Sequence, residues 1–154
     1  MCSLNLGSFI EGETTQAAVV QAGIVRSLRG DGTPMSPPVC LLSGGETTVQ
    51  LTSDHGLGGR NQQFVLAALS YLGLSGMNKI VVLSGGTDGE DGPTDAAGAI
   101  ADETTWSRAK AANLQPAAFL ARNDAYSFFE ATGDLLKTGL TQTNVMDVRV
   151  LLLS

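Results

Sequence analysis

The sequence has little cysteine, little positive charge and no long hydrophobic run. Its two cysteines, Cys2 and Cys40, match neither a metal-binding spacing nor a disulfide framework. Nine basic residues against fifteen acidic ones give a net charge of −6, which argues against nucleic acid or an anionic membrane as a partner. No apolar stretch approaches the roughly 20 residues of a membrane span, and the N-terminus lacks a signal-peptide pattern. We therefore expect a cytoplasmic protein.

The 154 residues are 43% hydrophobic and 16% charged, which is typical of one globular domain. Strand patterns occur near residues 2–6, 39–43, 47–52, 79–84, 98–101 and 145–153. Helical patterns lie between them, beginning near residues 14, 60, 104, 116 and 124. The first helix, over about residues 14–28, is predicted to bury Ala17, Val20, Ile24 and Leu28. This alternation predicts a single-domain α/β layered sandwich with a mixed, largely parallel sheet flanked by helices.

Two apolar strands end in the same unit, in which Ser-Gly-Gly leads into an acidic residue and a threonine. The first copy is Ser43-Gly44-Gly45-Glu46-Thr47 and the second is Ser84-Gly85-Gly86-Thr87-Asp88. Glycine at a strand end lets a ligand approach the main chain closely. We expect the main-chain N–H groups of these four glycines to face ligand oxygens.

A glycine loop, Gly56-Leu57-Gly58-Gly59, leads into a predicted helix that begins at Arg60 or Asn61. Free N–H groups and the positive end of the helix dipole favour an anion there, and a guanidinium can bind phosphate or carboxylate oxygens in pairs. The loop is neither a Walker P-loop nor a dinucleotide-binding fingerprint. A tight strand-to-helix connection with a surface arginine is the alternative interpretation.

Five motifs, in order, resemble the C-terminal, leucine-rich MOFRL domain of the class II glycerate kinases. The resemblance runs from about residue 39 to residue 154, and residues 1–38 match more loosely. The motifs are Ser43-Gly44-Gly45-Glu46-Thr47, Gly58-Gly59-Arg60-Asn61-Gln62, residues 84–89 with 91–94, Asn123-Asp124, and Thr143-Asn144-Val145-Met146-Asp147. The sequence departs from the family at Gln63, where glutamate is more usual, and at Leu140 and Gln142, where proline and glycine are more usual.

The resemblance implies phosphorylation of D-glycerate with ATP and Mg²⁺. In that family a larger N-terminal domain, with a catalytic lysine, closes the active site against the MOFRL domain. We expect that N-terminal glycerate kinase domain as the partner of residues 1–154, which do not contain it. Alone, the chain is expected to be inactive. A stand-alone module for small anions and a part of a hydroxypyruvate reductase are the alternative functions.

Within this reading Arg60 is the predicted catalytic residue, binding the substrate or the transferring phosphate. Glu46 and Asp88 are candidate Mg²⁺ ligands, because Mg²⁺ favours one or two carboxylates together with phosphate. Asp88 has loop closure as its alternative role, whereas Asp91 and Asp95 are expected to form turns. The remaining predicted ligand contacts are Thr47, Asn61, Thr87 and Asn144, with the two threonines equally suited to cap strand ends.

One geometric expectation ties these residues together. Arg60 should begin the helix that carries Phe64, Ala68 and Leu72 and should lie over the ends of both Gly-Gly strands. Ligands of open α/β sheets bind beyond the carboxyl ends of the strands. Both Gly-Gly units are therefore predicted to line one cleft.

Overall fold

The computed structural model describes residues 1–154, which form two sheets and five helices. The strands are β1 (Cys2–Asn5), β2 (Gly12–Glu13), β3 (Val39–Gly45), β4 (Thr47–Thr48), β5 (Ile80–Gly86), β6 (Gly98–Ala101), β7 (Leu135–Leu136) and β8 (Asp147–Leu153). The helices are α1 (Thr14–Gly30), α2 (Arg60–Gly76), α3 (Thr105–Ala111), α4 (Pro116–Ala121) and α5 (Ala125–Thr132). None of these helices is long and apolar enough to span a bilayer.

The main sheet has six strands in the order β1-β3-β8-β5-β6-β7, which confirms a mixed α/β fold. The expectation that it is largely parallel was wrong. Only β1 and β3 pair in parallel, and the other four pairings are antiparallel. The reason is that β8 inserts between β3 and β5. These two strands point the same way, but each is bonded to the reversed β8 instead of to the other.

The helical layer packs on one face of this sheet, and α1 and α2 form its largest helix contact. Helix α2 begins at Arg60 as predicted and buries Phe64, Ala68 and Leu72. The predicted face of α1 was right for the buried Leu28, only partly right for the half-buried Ala17 and Ile24, and wrong for Val20, which is 63% exposed. Ala18, Ala22 and Val25 are buried instead. This row of smaller side chains lets α1 approach its neighbours closely.

Strand β8 alternates as its sequence predicts, but charge lies on its buried side. Asp147 and Arg149 face the helices together with Leu151 and Leu153, whereas Val148 and Leu152 lie on the other face. The strand begins at Asp147, two residues later than predicted, because the preceding Met146 has a positive φ of 68°. The predicted strand at residues 47–52 is likewise shortened to β4, which pairs with β2 in a separate small sheet.

Both Gly-Gly units end at one edge of the main sheet. Gly45 and Gly86 are the register partners of Asp147 on either side of β8. Gly45 has a φ of +124°, and a Cβ atom at this position would collide with the backbone of Ile10. Glycine is therefore required where β3 ends. The common edge agrees with the expectation that one residue, Arg60, can lie over the ends of both Gly-Gly strands.

Candidate functional site

The carboxylate of Asp147 is the centre of this edge. Its side chain is fully buried, yet it accepts four hydrogen bonds from three residues on two elements. Oδ2 accepts from Nε of Arg60 at 2.8 Å and from Nη2 of Arg149 at 3.0 Å. Oδ1 accepts from Nη2 of Arg60 at 3.1 Å and from Nδ2 of Asn61 at 3.0 Å. Asp147 thus connects β8 to the first turn of α2.

Four hydrogen bonds reach this carboxylate. They come from two guanidinium groups and one amide. Because Arg60 donates one hydrogen bond to each of the two oxygens, Asp147 fixes the plane of the Arg60 guanidinium.

Arg60 is the first residue of α2, and it is the member of this cluster that reaches solvent. Its side chain is 30% exposed, whereas that of Asp147 is fully buried. Nη1 of Arg60 lies 3.2 Å from Oε1 of Glu46, whose side chain is 55% exposed. The hydrogen bonds to Asp147 raise the pKa of Arg60, and the charges of Asp147 and Glu46 add to that effect. Arg60 therefore remains a cation with one nitrogen directed away from Asp147.

Arg149 is the second guanidinium bound to Asp147, and its side chain is completely buried. Nη2 also donates to Oγ1 of Thr47 at 3.1 Å, and the guanidinium lies 5.3 Å from the centre of the Phe64 ring. Its Nε and Nη1 groups have no hydrogen-bond partner. Burial lowers the pKa of Arg149, and the nearby charge of Arg60 acts in the same direction, while Asp147 opposes both.

The N-terminus of α2 is occupied by the carboxylate of Asp91, so the predicted free anion site at this helix end was wrong. The backbone N–H groups of Asn61 and Gln62 donate to Asp91 at 2.9 and 2.8 Å. Asp91 was expected to form a turn, but it is buried and caps the helix from the loop after β5. A Cβ atom on Gly59 would collide with Asp91, which explains the glycine before Arg60. Burial raises the pKa of Asp91 to about 6, and the two N–H groups partly offset that rise.

A cleft of about 420 Å³ opens beside Arg60. Its walls come from the segment after β3, the glycine loop and the loop after β5. The lining includes Glu46, Leu51, Gly59, Arg60, Gln63 and Pro93. Gln63, one turn along α2 from Arg60, is 4% exposed and donates weakly to the carbonyl of Leu120 at 3.5 Å. The chain therefore provides a cavity with one cation, one exposed carboxylate and the amides of Gln63 and Asn123 in its wall.

The second Gly-Gly unit faces elsewhere, and the prediction that both units line one cleft was wrong. Gly85, Gly86 and Thr87 line a different cavity, together with Leu83 and Val148 on the sheet face opposite the helices. Oγ1 of Thr87 donates to the carbonyl of Met146 at 2.8 Å and accepts from the N–H of Val145 at 2.8 Å. This unit holds the loop before β8 in place.

Several predicted ligand contacts are used inside the protein. Thr47 and Asn61 are buried, and Asn61 accepts from the hydroxyl of Ser84 at 2.6 Å. The N–H of Gly44 donates to Gly7 and that of Gly86 donates to Ala97, so neither is free for a ligand. Gly45 and Gly85 lie in paired strands, and their ligand roles stay predictions.

The two candidate Mg²⁺ ligands lie in different surroundings. Glu46 pairs with Arg60, whereas Asp88 accepts from Nδ2 of Asn144 at 2.9 Å and from the N–H of Glu90 at 3.2 Å. Asn144 therefore closes a loop with Asp88. No group of three or more His, Cys, Asp or Glu side chains could hold a metal. Metal binding by Glu46 or Asp88 stays a prediction that requires further ligands, such as nucleotide phosphates.

Comparison with known proteins matches residues 39–147 to the model of the MOFRL family. This chain belongs to the MOFRL family. A protein of Agrobacterium vitis, named as a candidate hydroxypyruvate reductase, is 43% identical over 154 residues, which are 99% of this chain and 35% of that protein. A glycerate kinase of Rattus norvegicus is 52% identical over 119 residues, covering 74% of this chain and 23% of that enzyme.

The fold of this MOFRL chain also matches a solved enzyme. The crystal structure of a glycerate kinase from Thermotoga maritima superposes with a TM-score of 0.89 at 35% identity. The match covers 99% of this chain and 36% of that enzyme. The chain thus spans about a third or less of the length of these relatives.

Sequence reasoning missed Asp147 and Arg149 as parts of the site and misassigned Asp91. Asp147 and Arg149 alternate with Val148 and Val150 in β8, and a charged residue at every second position usually marks a solvent-facing side. The sequence signal that could have pointed to Asp147 is the pair of Gly-Gly units. Two strands that end in the same way can both pair with one strand placed between them, as they do with β8 at Asp147.

Proposed function

We propose that this chain is the C-terminal domain of a glycerate kinase, in which Arg60 binds an anionic group of D-glycerate or of the phosphoryl group being transferred. The observation that carries the proposal is the orientation of Arg60. Two of its nitrogens are held by Asp147, and the third faces a cleft beside Glu46. The names of the rat and Thermotoga relatives support the reaction.

The chemistry needs what this site offers. Phosphoryl transfer depends mostly on positioning and on neutralising charge that spreads over the phosphoryl oxygens. A guanidinium held in one plane loses little entropy when it binds such an oxygen. Asp147 orients Arg60, and Glu46 gives up its contact when a ligand anion arrives. Gln63 lies in the wall of the same cleft and offers an amide to the bound ligand.

ATP and Mg²⁺ belong to the proposal as the phosphoryl donor and the ion that neutralises its phosphates. Within this chain Glu46 is the more accessible of the two candidate carboxylates for that ion. Its side chain is 55% exposed, and it borders the cleft. The remaining ligands and the catalytic lysine would come from the partner N-terminal domain.

A module that binds small anions without catalysis is the second candidate. The observation that favours it is that Arg60, Asp147 and the cleft are complete within these 154 residues. Both functions predict anion binding by the chain, but only the first predicts phosphoryl transfer when a complete kinase is assembled.

The test is a chimeric enzyme in which this chain replaces the matching third of the Thermotoga glycerate kinase. We expect ATP-dependent phosphorylation of D-glycerate by the chimera and none by the chain alone. Arg60→Ala should lower kcat/KM by a factor that corresponds to a loss of roughly 3 kcal/mol of transition-state stabilisation, because a charge-assisted pair of hydrogen bonds is removed. Arg60→Lys should recover part of this loss, because an ammonium lacks the planar pair of donors.

The matched control in the chimera is Arg26→Met, a distant surface arginine that stacks on Tyr71. It should leave kcat/KM close to that of the parent chimera. A folded chimera with activity that is insensitive to Arg60→Ala would contradict the role of Arg60. A folded chimera that binds D-glycerate and ATP without transfer would favour the binding module.

A further inference from the structure

Arg149 is a costly residue for the interior of a small domain. Its side chain is fully buried, and two of its three nitrogens have no hydrogen-bond partner. Buried donors without partners are rare in folded proteins and reduce stability. An apolar side chain of similar volume would often serve packing equally well or better. The packing of β8 against α2 therefore does not explain why a cation stands here.

The position of Arg149 relates it to Arg60. Both guanidinium groups donate to Oδ2 of Asp147, at 2.8 Å from Arg60 and at 3.0 Å from Arg149. One negative charge thus serves two positive charges, and the three side chains together carry a charge of +1, which the exposed Glu46 beside Arg60 balances until a ligand anion displaces it. Without Arg149, the pair of Arg60 and Asp147 would be neutral.

Of the three side chains that carry this excess positive charge, only Arg60 is exposed to solvent. Asp147 and Arg149 are fully buried, and the Arg60 side chain is 30% exposed at the wall of the cleft. Charges beneath a protein surface are poorly screened by salt water, so the buried cation contributes to the potential at the cleft. Arg149 also donates to the same oxygen of Asp147 as Nε of Arg60, which restricts the carboxylate that orients Arg60.

We propose that Arg149 is a positioning residue for the anion site, since by sharing Asp147 it holds that carboxylate in place and leaves Arg60 with a net positive charge toward the cleft. This inference rests on the proposed anion-binding role of Arg60. It assigns to Arg149 no contact with the ligand.

The experiment titrates the full 154-residue chain with inorganic phosphate and follows the amide resonances by NMR. Two neutral variants, Arg149→Met and Arg149→Gln, should each weaken phosphate binding roughly tenfold, because a buried unit charge is lost from the cluster. Arg149→Lys should restore most of the affinity, since it returns the charge. A merely structural role would not give this recovery, because lysine and methionine fill similar space.

The matched control is Arg26→Met, which removes the same charge from the surface of α1. It should leave the phosphate affinity within about twofold of the parent, because exposed charges are screened. Urea unfolding of each variant separates loss of affinity from loss of fold, and Arg149→Lys provides the test if the neutral variants do not fold.

The outcomes separate the two claims. If the parent binds phosphate and Arg60→Ala abolishes it, the proposed site stands. Unchanged affinity in folded Arg149→Met or Arg149→Gln would then overturn the role of Arg149 alone, as would an Arg149→Lys variant as weak as the neutral ones. A parent that does not bind phosphate, or binds it independently of Arg60, would overturn both claims.

Discussion

The two Gly-Gly units have nearly the same sequence and pair with the same residue, but the side chains that follow them make different contacts. Gly45 and Gly86 both pair with Asp147. After Gly45, Glu46 turns toward Arg60 and the cleft. After Gly86, Thr87 and Asp88 bind the loop that leads into β8. The repeated Ser-Gly-Gly motif therefore determines the path of the backbone, whereas the neighbouring segments determine which residues its side chains contact.

Asp147 is common to both units, and its replacement should have the largest effect. Asp147→Asn leaves the buried cation of Arg149 without its carboxylate, so we expect a loss of about 3–5 kcal/mol in the free energy of unfolding. Urea unfolding measures it. Asp54→Asn, at an exposed loop position, is the control and should stay within about 0.5 kcal/mol of the parent. An equally small effect of Asp147→Asn would contradict the central place of this carboxylate.

Asp91 connects the loop after β5, which follows the second Gly-Gly unit, to the N-terminus of α2. Its pKa is raised from 3.8 to about 6 in the fold, so its stabilising contribution is full below pH 3.8 and is lost as the pH rises through about 6. We expect the unfolding free energy of the parent, relative to Asp91→Asn, to fall by about 2 kcal/mol between pH 4 and pH 7. A difference that is constant over this range would show that Asp91 does not titrate as described.

Thr87 should matter for the loop and not for the cleft. Thr87→Val removes two hydrogen bonds to residues 145 and 146, so we expect a loss of about 1–2 kcal/mol and faster amide exchange in residues 137–146. Phosphate binding should be unaffected. Thr52→Val, at an exposed position outside the cleft, is the control and should cost less than about 0.5 kcal/mol. Weaker phosphate binding in Thr87→Val would break the division of work between the units.

Gln142 should show the smallest effect, in the loop that the second unit anchors. It has a φ of +61°, which is unfavourable for a residue with a side chain and natural for the glycine more usual in the family. We expect Gln142→Gly to raise the free energy of unfolding by up to about 1 kcal/mol. Thermal unfolding checks this, with Gln50→Gly as a control without a positive φ. A loss of stability in Gln142→Gly would show that the positive φ of Gln142 does not destabilise the parent.

The sequence predicted the parts of this site that depend on local signals. The start of α2 at Arg60 followed from the glycine loop and the helical pattern, and the common edge followed from two strands that end alike. The capping of α2 by Asp91 joins segments about 30 residues apart, and local capping signals do not extend that far. The insertion of β8 between β3 and β5 is likewise a tertiary choice.

Other misses had a physical cause in the side chains themselves. Val20 is larger and more apolar than Ala18, yet Ala18 is buried, because close packing of α1 favours the smaller residue. Asp147 and Arg149 compensate each other's charge only in the fold, so their sequence pattern does not show that they are buried. Buried ion pairs are visible to sequence reasoning only when their partners are known.

The most direct test of the account is a map of where an anion binds the chain. Phosphate titration followed by amide and arginine side-chain NMR should shift the resonances of Gly45, Glu46 and the Arg60 Nε–H group together, with one dissociation constant. Thr87 and Asp88 should move little. Shifts centred on Thr87 and Asp88, or on the distant pair Arg26 and Arg29, with Arg60 unmoved, would contradict the claim that the first Gly-Gly unit and Arg60 form the anion site.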